Sequence, residues 1–480
     1  MPNPKRFTQH HLRGGAQLRQ TLKDKDHKRR DTLAGLSAAG PGHLRNDILP
    51  KLELVRLDPN VLILPKRNVR AHDPAQVRRL MHSISTVGFI DPVLIDEDNK
   101  ILDGVTATQA AKELGLPSIP CIRTAHLTAA EKRIVRLALN RLGEKGHWDL
   151  PELKAELIEL VDEGIEIEDT AFTLAEFDQI TIDDDIGPLE RGPLAPGPGA
   201  AIAKLGDVFV FEDGHRIICG DATDAAVYLT LMGEQQARLV LTDEPYNVPI
   251  AGHVTKGEHR EFLMASGEMS AEQFMAFNTA WIGAAADHLC DGGLLGSFID
   301  WRGYPTVDAA ALALGLTPIN LIVWAKTNGG MGSLYRSKHE LFPLYKKGAA
   351  KHVNNIELGK NGRSRTNVWS YPGASSISSD SRKGLQLHPT VKPVAMCADA
   401  ILDVSHRGDI VLDPFFGSGS TLIAAQGVGR RCYAIELDPR YVDVAIARYR
   451  EAYGRSAVLE ATGETFEQLE RRRKDEAIEP

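Results

Sequence analysis

The 480-residue chain contains only five cysteines, Cys121, Cys219, Cys290, Cys397 and Cys432, and no Cys-x-x-Cys pair. This spacing excludes a zinc ribbon and a disulfide framework, and it fits a reducing cytosol, so a cytoplasmic location is expected. Long hydrophobic runs are also missing: none approaches the ~20 residues needed to cross a bilayer. The basic N-terminus lacks the apolar stretch of a signal peptide. His72, His82 and His126 have no metal-ligand spacing, and no metal is expected. Nor is there an excess of positive charge, since the net charge is -8. Screening limits a charge's influence to ~10 Å, so local runs matter more than this sum.

The hydrophobic fraction of 43% and charged fraction of 25% are ordinary for globular chains. The length predicts two or three domains. Residues 1–47 are polar and basic and read as a flexible arm. Residues 48–125 read as a compact α+β unit. Leu54 to Leu57 suits a strand, and Pro74–Val87 suits a helix with Asp73 as its N-cap. Residues 92–96 and 100–103 suit paired strands around an Asp-Asn turn. A helix from Thr106 closed by Gly115 completes the unit. Residues 126–182 read as a helical connector, and the Pro/Gly-rich 183–203 as a linker. Beyond it, apolar strand patterns at 216–219, 237–242, 293–298, 319–324, 341–345, 410–413 and 432–436 alternate with helices. They predict a mostly parallel sheet covered on both faces, with ligands at the carboxyl ends of its strands. Residues 456–480 read as a charged tail.

Two motifs fall on such strand ends. In the first, strand Ile410-Val411-Leu412 runs into Asp413-Pro414-Phe415-Phe416-Gly417-Ser418-Gly419-Ser420-Thr421, where a helix begins. Glycines let backbone approach a ligand and adopt positive φ. About twenty residues later, strand Tyr433-Ala434-Ile435 ends in Glu436, which can accept hydrogen bonds from both ribose hydroxyls. Strand, Gly-x-Gly, helix, strand and acid together form a nucleoside-binding βαβ unit. A turn that needs glycine only for its shape is the plainer alternative. No Lys-Ser/Thr pair follows the glycines, which excludes a P-loop. In the second motif, strand 239–242 delivers Asp243-Glu244-Pro245-Tyr246. An exocyclic amine has its lone pair delocalised into the base. A carboxylate accepting one N–H, with a backbone carbonyl accepting the other, would expose that pair, and Tyr246 could stack on the base. Standing alone, this motif is as readily a structural strand end with a proline turn.

Taken together, residues 200–455 resemble the β group of DNA amino-methyltransferases, in which a catalytic Asp-Pro-Pro-Tyr precedes the cofactor loop. His388-Pro389-Thr390-Val391-Lys392-Pro393 is similar to the family's His-Pro-x-x-Lys-Pro box, and Gly220-Asp221-Ala222 to its Gly-Asp strand end. The resemblance implies an α/β fold, the Rossmann-like sheet of S-adenosylmethionine-dependent methyltransferases. It assigns Asp243, Glu244, Pro245 and Tyr246 to the target base. It assigns Asp221, Ala222, Lys392, Asp413, Phe415, Gly417, Gly419, Ser420, Thr421 and Glu436 to S-adenosyl-L-methionine or its support. An Asp-type tetrapeptide implies adenine N6; a Ser-type one would imply cytosine N4. Here Glu244 replaces the family's first proline. That loses a φ restriction and sets a carboxylate beside a site for polyanionic DNA, so reduced turnover with retained cofactor binding is expected.

The implied partner is double-stranded DNA, methylated by base flipping, as in restriction-modification systems. Dimers are common in this group. Residues 325–385 read as a DNA-contacting insertion, with Lys326, Arg336, Lys338, Lys360, Arg363 and Arg365 interleaved with Trp324, Tyr335, Tyr345, Trp369 and Tyr371. The plainer alternative is a solvated insertion with core aromatics. The 48–125 unit resembles the ParB N-terminal, sulfiredoxin-like domain through Asn68-Val69-Arg70, Gly88-Phe89-Ile90-Asp91-Pro92-Val93 and Leu102-Asp103-Gly104. Fusions of this kind are familiar in prophage proteins. The family's Gly-x-x-Arg reads Ala107 at the arginine, so nucleotide hydrolysis is not expected. Two alternatives to adenine methylation stand: a DNA- and cofactor-binding protein with little catalysis, and an N4-cytosine methyltransferase.

Overall fold

The computed structural model describes residues 50–65, 73–143, 146–181, 195–197, 199–247, 267–327, 329, 334–356, 364–372 and 392–478. The chain forms two compact units, 1–146 and 147–480.

In the first unit a four-stranded sheet has the order β1-β4-β2-β3, from Glu53–Leu57 (β1), Val93–Ile95 (β2), Ile101–Asp103 (β3) and Ile119–Arg123 (β4). β2 and β3 pair antiparallel, with Ile95 opposite Ile101. The Asp73 side chain caps helix Pro74–Val87 by accepting from the Ala75 N–H. Gly104 takes φ 93°, and a Cβ there would lie 3.1 Å from Val93, so only glycine suits the turn. β4 carries Pro120 and Cys121 and was not apparent in the sequence pattern. Residues Asn68, Val69 and Arg70 of the ParB-like motif lie outside the described residues.

The expected connector is divided between the units. Helix Ala129–Gly143 belongs to the first, where Thr128 and Glu131 form a reciprocal cap. Helices Leu150–Asp162 and Leu174–Thr181 belong to the second. The reason is a buried ion pair. Arg430, fully buried, donates to Asp178 at 2.7 Å, to the Ser405 carbonyl at 2.7 Å and to the Val428 carbonyl at 2.6 Å.

The second unit is built on a ten-stranded sheet of order β11-β9-β10-β8-β7-β12-β13-β6-β5-β14. Its strands are Val208–Phe211 (β5), Arg216–Cys219 (β6), Ala237–Thr242 (β7), Leu289–Ser297 (β8), Thr317–Ala325 (β9), His339–Lys346 (β10), Val368–Ser370 (β11), Ile410–Asp413 (β12), Arg431–Glu436 (β13) and Ala457–Leu459 (β14). The five central strands, β8-β7-β12-β13-β6, are parallel. They are nearly continuous apolar runs because helices cover both faces. Helices Val394–Val404, Ser420–Gly427 and Pro439–Tyr453 pack on one face. Ala225–Met232, Ala271–Asp287 and Tyr304–Ala313 pack on the other. The outer pairings of β9 with β10, β10 with β8, β5 with β6 and β14 with β5 are antiparallel.

Two expectations are corrected here. Most of the expected tail 456–480 belongs to the fold: β14 extends the sheet, and helix Phe466–Ile478 buries Leu469 and ties Arg473 to Asp207 at 2.5 Å. The 325–385 stretch is only partly an insertion, since β10 and β11 are sheet strands and Trp324, Tyr345 and Trp369 are core residues.

Removing one member of a buried ion pair strands the other charge, at about 3–5 kcal/mol. Asp178→Ala is therefore expected to lower unfolding free energy by roughly that much, measured by denaturant titration. A loss below about 1 kcal/mol would show that the pair does not anchor the helix.

Candidate active site

Strand polarity brings the chemistry to one edge. The parallel strands β7, β12, β13 and β6 end there, so Asp243, Asp413, Glu436 and Gly220 all lie along it. β10 runs antiparallel to β8, so its beginning, Glu340, reaches the same edge. β9 runs antiparallel to β10, so its end reaches that edge as well, with Lys326.

The glycine loop is fixed from beneath. Asp413, 3% exposed, accepts from the Thr242 hydroxyl at 2.7 Å and from the Phe415 N–H at 3.2 Å. Burial pushes its carboxyl up to about 6, although Thr242, Thr421 and the Phe415 amide oppose this. Gly417 and Gly419 take φ 55° and 83°. A Cβ on Gly419 would sit 3.0 Å from that of Ala445, so the loop packs directly on helix Pro439–Tyr453. The buried Arg448 of that helix donates to the Ser418 carbonyl and the Ser420 hydroxyl, each at 3.2 Å. Phe415 leans edge-on against Trp281. Glu436 accepts from the Gly417 N–H at 2.7 Å and from the Asp438 N–H at 2.8 Å. Burial raises its carboxyl to about 7 against those two bonds. Next to it, the Asp221 side chain accepts from the Thr223 amide and hydroxyl, and Ala222 is buried with its carbonyl accepting from Tyr228. Bare backbone at two glycines beside an acid at the neighbouring strand end fits an adenosyl group.

The tetrapeptide forms a second cluster. The Lys392 ammonium, almost fully buried, lies 2.5 Å from Asp243 and 3.2 Å from Glu340. The Tyr246 hydroxyl donates to Asp243 at 2.8 Å and also lies 3.1 Å from Glu340. Lys326 pairs with Glu340 from the other side. Phe298, Trp324 and Tyr246 present ring faces to Lys392 at 5.1–5.8 Å. Burial raises Asp243 above the usual carboxylate range, with Lys392 opposing. Burial also disfavours the charges on Glu340 and Lys392. Even so, the two lysines pull Glu340 down to about 2, and the two carboxylates hold Lys392 above the ordinary lysine range.

Lys392, expected beside the cofactor, is thus placed with Asp243. Glu340 was missed by sequence reasoning; its signal, an acid opening an apolar strand, is too common to single out. Glu244 departs from expectation. It is 1% exposed, and both of its carboxyl oxygens are without a hydrogen-bond partner. Burial raises its carboxyl well above the usual range, and the side chain is enclosed and not turned out to solvent. Arg365, expected on phosphate, is committed elsewhere. It lies 2.9 Å from Asp399 and 2.7 Å from Asp403, against Trp369. Arg336 and Lys338 are exposed beside the exposed Leu334 and Tyr335, on the β9–β10 connection at the active edge. Lys360, Arg363 and His388 to Val391 lie outside the described residues.

Residues 237–447 match the profile of the N6/N4 family, described as DNA methylase. Over 238 residues the chain is 27% identical to the type II methyltransferase M2.DpnII of Streptococcus pneumoniae, covering 47% of this chain and 87% of that protein. It is 24% identical over 248 residues to the type II methyltransferase M.HpaI of Haemophilus parainfluenzae, covering 49% and 74%. A candidate DNA modification methylase of Thermus thermophilus, solved with S-adenosyl-L-methionine, is similar at 23% identity. It covers 50% of this chain and 94% of that one, at a TM-score of 0.36. A truncated ParB of Caulobacter crescentus with CTP-gamma-S is similar over 28% of this chain and 83% of that one, at 14% identity and a TM-score of 0.25. The C-terminal half is thus similar, over residues 237–447, to DNA methylases of the N6/N4 family. Among the described residues no helix is long and apolar enough to cross a membrane.

A carboxyl whose folded-state pKa is raised contributes stability at low pH that is lost as pH rises through that pKa. Glu244→Gln keeps the shape without the ionisation. Its unfolding midpoint, relative to the unmodified chain, is expected to climb in thermal melts as pH rises above the ordinary glutamate range. A difference that stays flat or shrinks would contradict a buried neutral Glu244.

Proposed function

We propose that the C-terminal half transfers a methyl group from S-adenosyl-L-methionine to the N6 amine of adenine in double-stranded DNA, on a base swung out of the helix. The observation that carries this reading is the Thr242–Asp413 hydrogen bond, which locks the tetrapeptide strand beside the glycine loop. Glu436 would hold the ribose hydroxyls, Phe415 would pack against the adenine, and Asp221 would close that end. The cofactor supplies an electrophilic methyl on a sulfonium. Asp243 accepts one amine N–H, the Glu244 carbonyl accepts the other, and Tyr246 lies against the base. The choice of N6 rests on the Asp-type tetrapeptide. Arg336 and Lys338 are placed to meet phosphate. The ParB-like unit would serve docking or DNA contact.

The competing reading, binding without useful catalysis, rests on the lost φ restriction at Glu244 and on a carboxylate beside DNA. Burial of the Glu244 side chain weakens the second of these grounds. Methyl transfer from labelled cofactor to mixed-sequence DNA should therefore survive Glu244→Gln within about threefold, and fall by roughly 10²–10³ in Asp243→Ala. Retained transfer in the Asp243 variant would refute the assignment. Modification-sensitive sequencing of host DNA distinguishes N6-methyladenine from N4-methylcytosine.

Glu436 accepts ribose hydroxyls best as a carboxylate, and its carboxyl is raised to about 7. Cofactor affinity, measured by calorimetry, is accordingly expected to weaken as pH falls through about 7. In Glu436→Gln it should be weaker throughout and nearly independent of pH; an unchanged pH profile would sink the idea.

A further inference from the structure

One ammonium serves two carboxylates at the tetrapeptide. Lys392 reaches Asp243 at 2.5 Å and Glu340 at 3.2 Å, and the Tyr246 hydroxyl bridges the same two acids at 2.8 and 3.1 Å. Glu340 contributes nothing to the glycine loop and is no part of the tetrapeptide. It sits at the start of β10, with Lys326 of the neighbouring β9 on its far side. Its side chain is 14% exposed and that of Lys392 is 8% exposed, so water screens these charges little.

We propose that Glu340 and Lys326 act as a positioning pair: they divide the Lys392 ammonium between two carboxylates and so set how strongly Asp243 accepts the proton of the target amine. The proposal rests on the reading of Asp243 as that acceptor. When the amine nitrogen bonds to the methyl carbon, the carbon–sulfur bond breaks and the sulfonium becomes a neutral thioether. One N–H bond also breaks. Its electron pair stays on nitrogen, and its proton passes to an Asp243 oxygen. An Asp243 paired with an undivided Lys392 would be a poor acceptor, because the ammonium stabilises the carboxylate. Glu340 draws part of that charge away. Lys326 limits how much it draws, by neutralising Glu340 from behind. The other ionisable groups around Asp243 are Glu244 and Tyr246 on its own segment and Asp413 on β12.

The opposite signs of two substitutions test the division. Glu340→Gln keeps the shape and removes the negative charge, so Asp243 should titrate about one unit lower. Lys326→Met removes the far cation, so Glu340 takes more of Lys392 and Asp243 should titrate about one unit higher. Aspartate ¹³C-carboxyl labelling of the full chain reads this titration without turnover, with Asp243→Asn assigning the signal. The acid limb of the methyl-transfer pH profile should move in the same two directions, and Glu340→Asp should restore the unmodified profile. Shifts in the same direction for both variants, or no shift in either, overturn the proposal. Opposed carboxyl shifts in a chain that transfers no methyl group would uphold the charge division and refute instead the catalytic reading of Asp243.

Discussion

A lysine ammonium buried at the carboxyl edge of a parallel sheet is stable only if its lost hydration is replaced, and Lys392 meets that condition with Asp243, Glu340 and three aromatic faces. The requirement reaches far into the fold. Asp243 comes from β7, Glu340 from β10 and Trp324 from β9, so the charge is satisfied only when the antiparallel outer strands are in register with the parallel core. Two ammoniums then face two carboxylates. Beside them, burial and, to a lesser degree, the Asp243 charge raise the Glu244 carboxyl well above the usual range.

The strand–glycine-loop–helix–strand geometry was legible in the sequence because each of its devices is local. Strand Ile410–Asp413, the glycines that follow and the acid ending Arg431–Glu436 lie within thirty residues, and the helix Ser420–Gly427 between the two strands makes them parallel. The buried charge cluster was legible only at the tetrapeptide. Glu340 and Lys326 join it through antiparallel pairing, and an apolar run such as His339–Lys346 carries no mark of its direction. For the same reason charged residues between 326 and 365 could not be sorted by sequence alone. Arg365 has the composition of a phosphate ligand and the surroundings of a core ion pair. The polar C-terminal helix Phe466–Ile478 misled in the opposite way. Its few apolar residues, Phe466 and Leu469, are enough to close the sheet beside β14, but too few to stand out among its charges.

The chain order, with Asp243 long before Asp413, raises the question of how two distant segments hold a fixed spacing at the atomic scale. Backbone pairing of β7 with β12 sets the register, Leu239 beside Val411 and Val240 beside Leu412. It leaves the strand ends free to splay where the ladder stops. The Thr242 hydroxyl crosses that gap to Asp413 and also accepts from the Phe415 amide. One side chain thereby ties the last residue of the tetrapeptide strand to both the acid and the backbone of the glycine loop. Burial strengthens this contact, because neither group has water as an alternative partner. The distance between the tetrapeptide and the glycine loop is then a property of the sheet edge, although Thr242 and Asp413 lie 171 positions apart in the sequence.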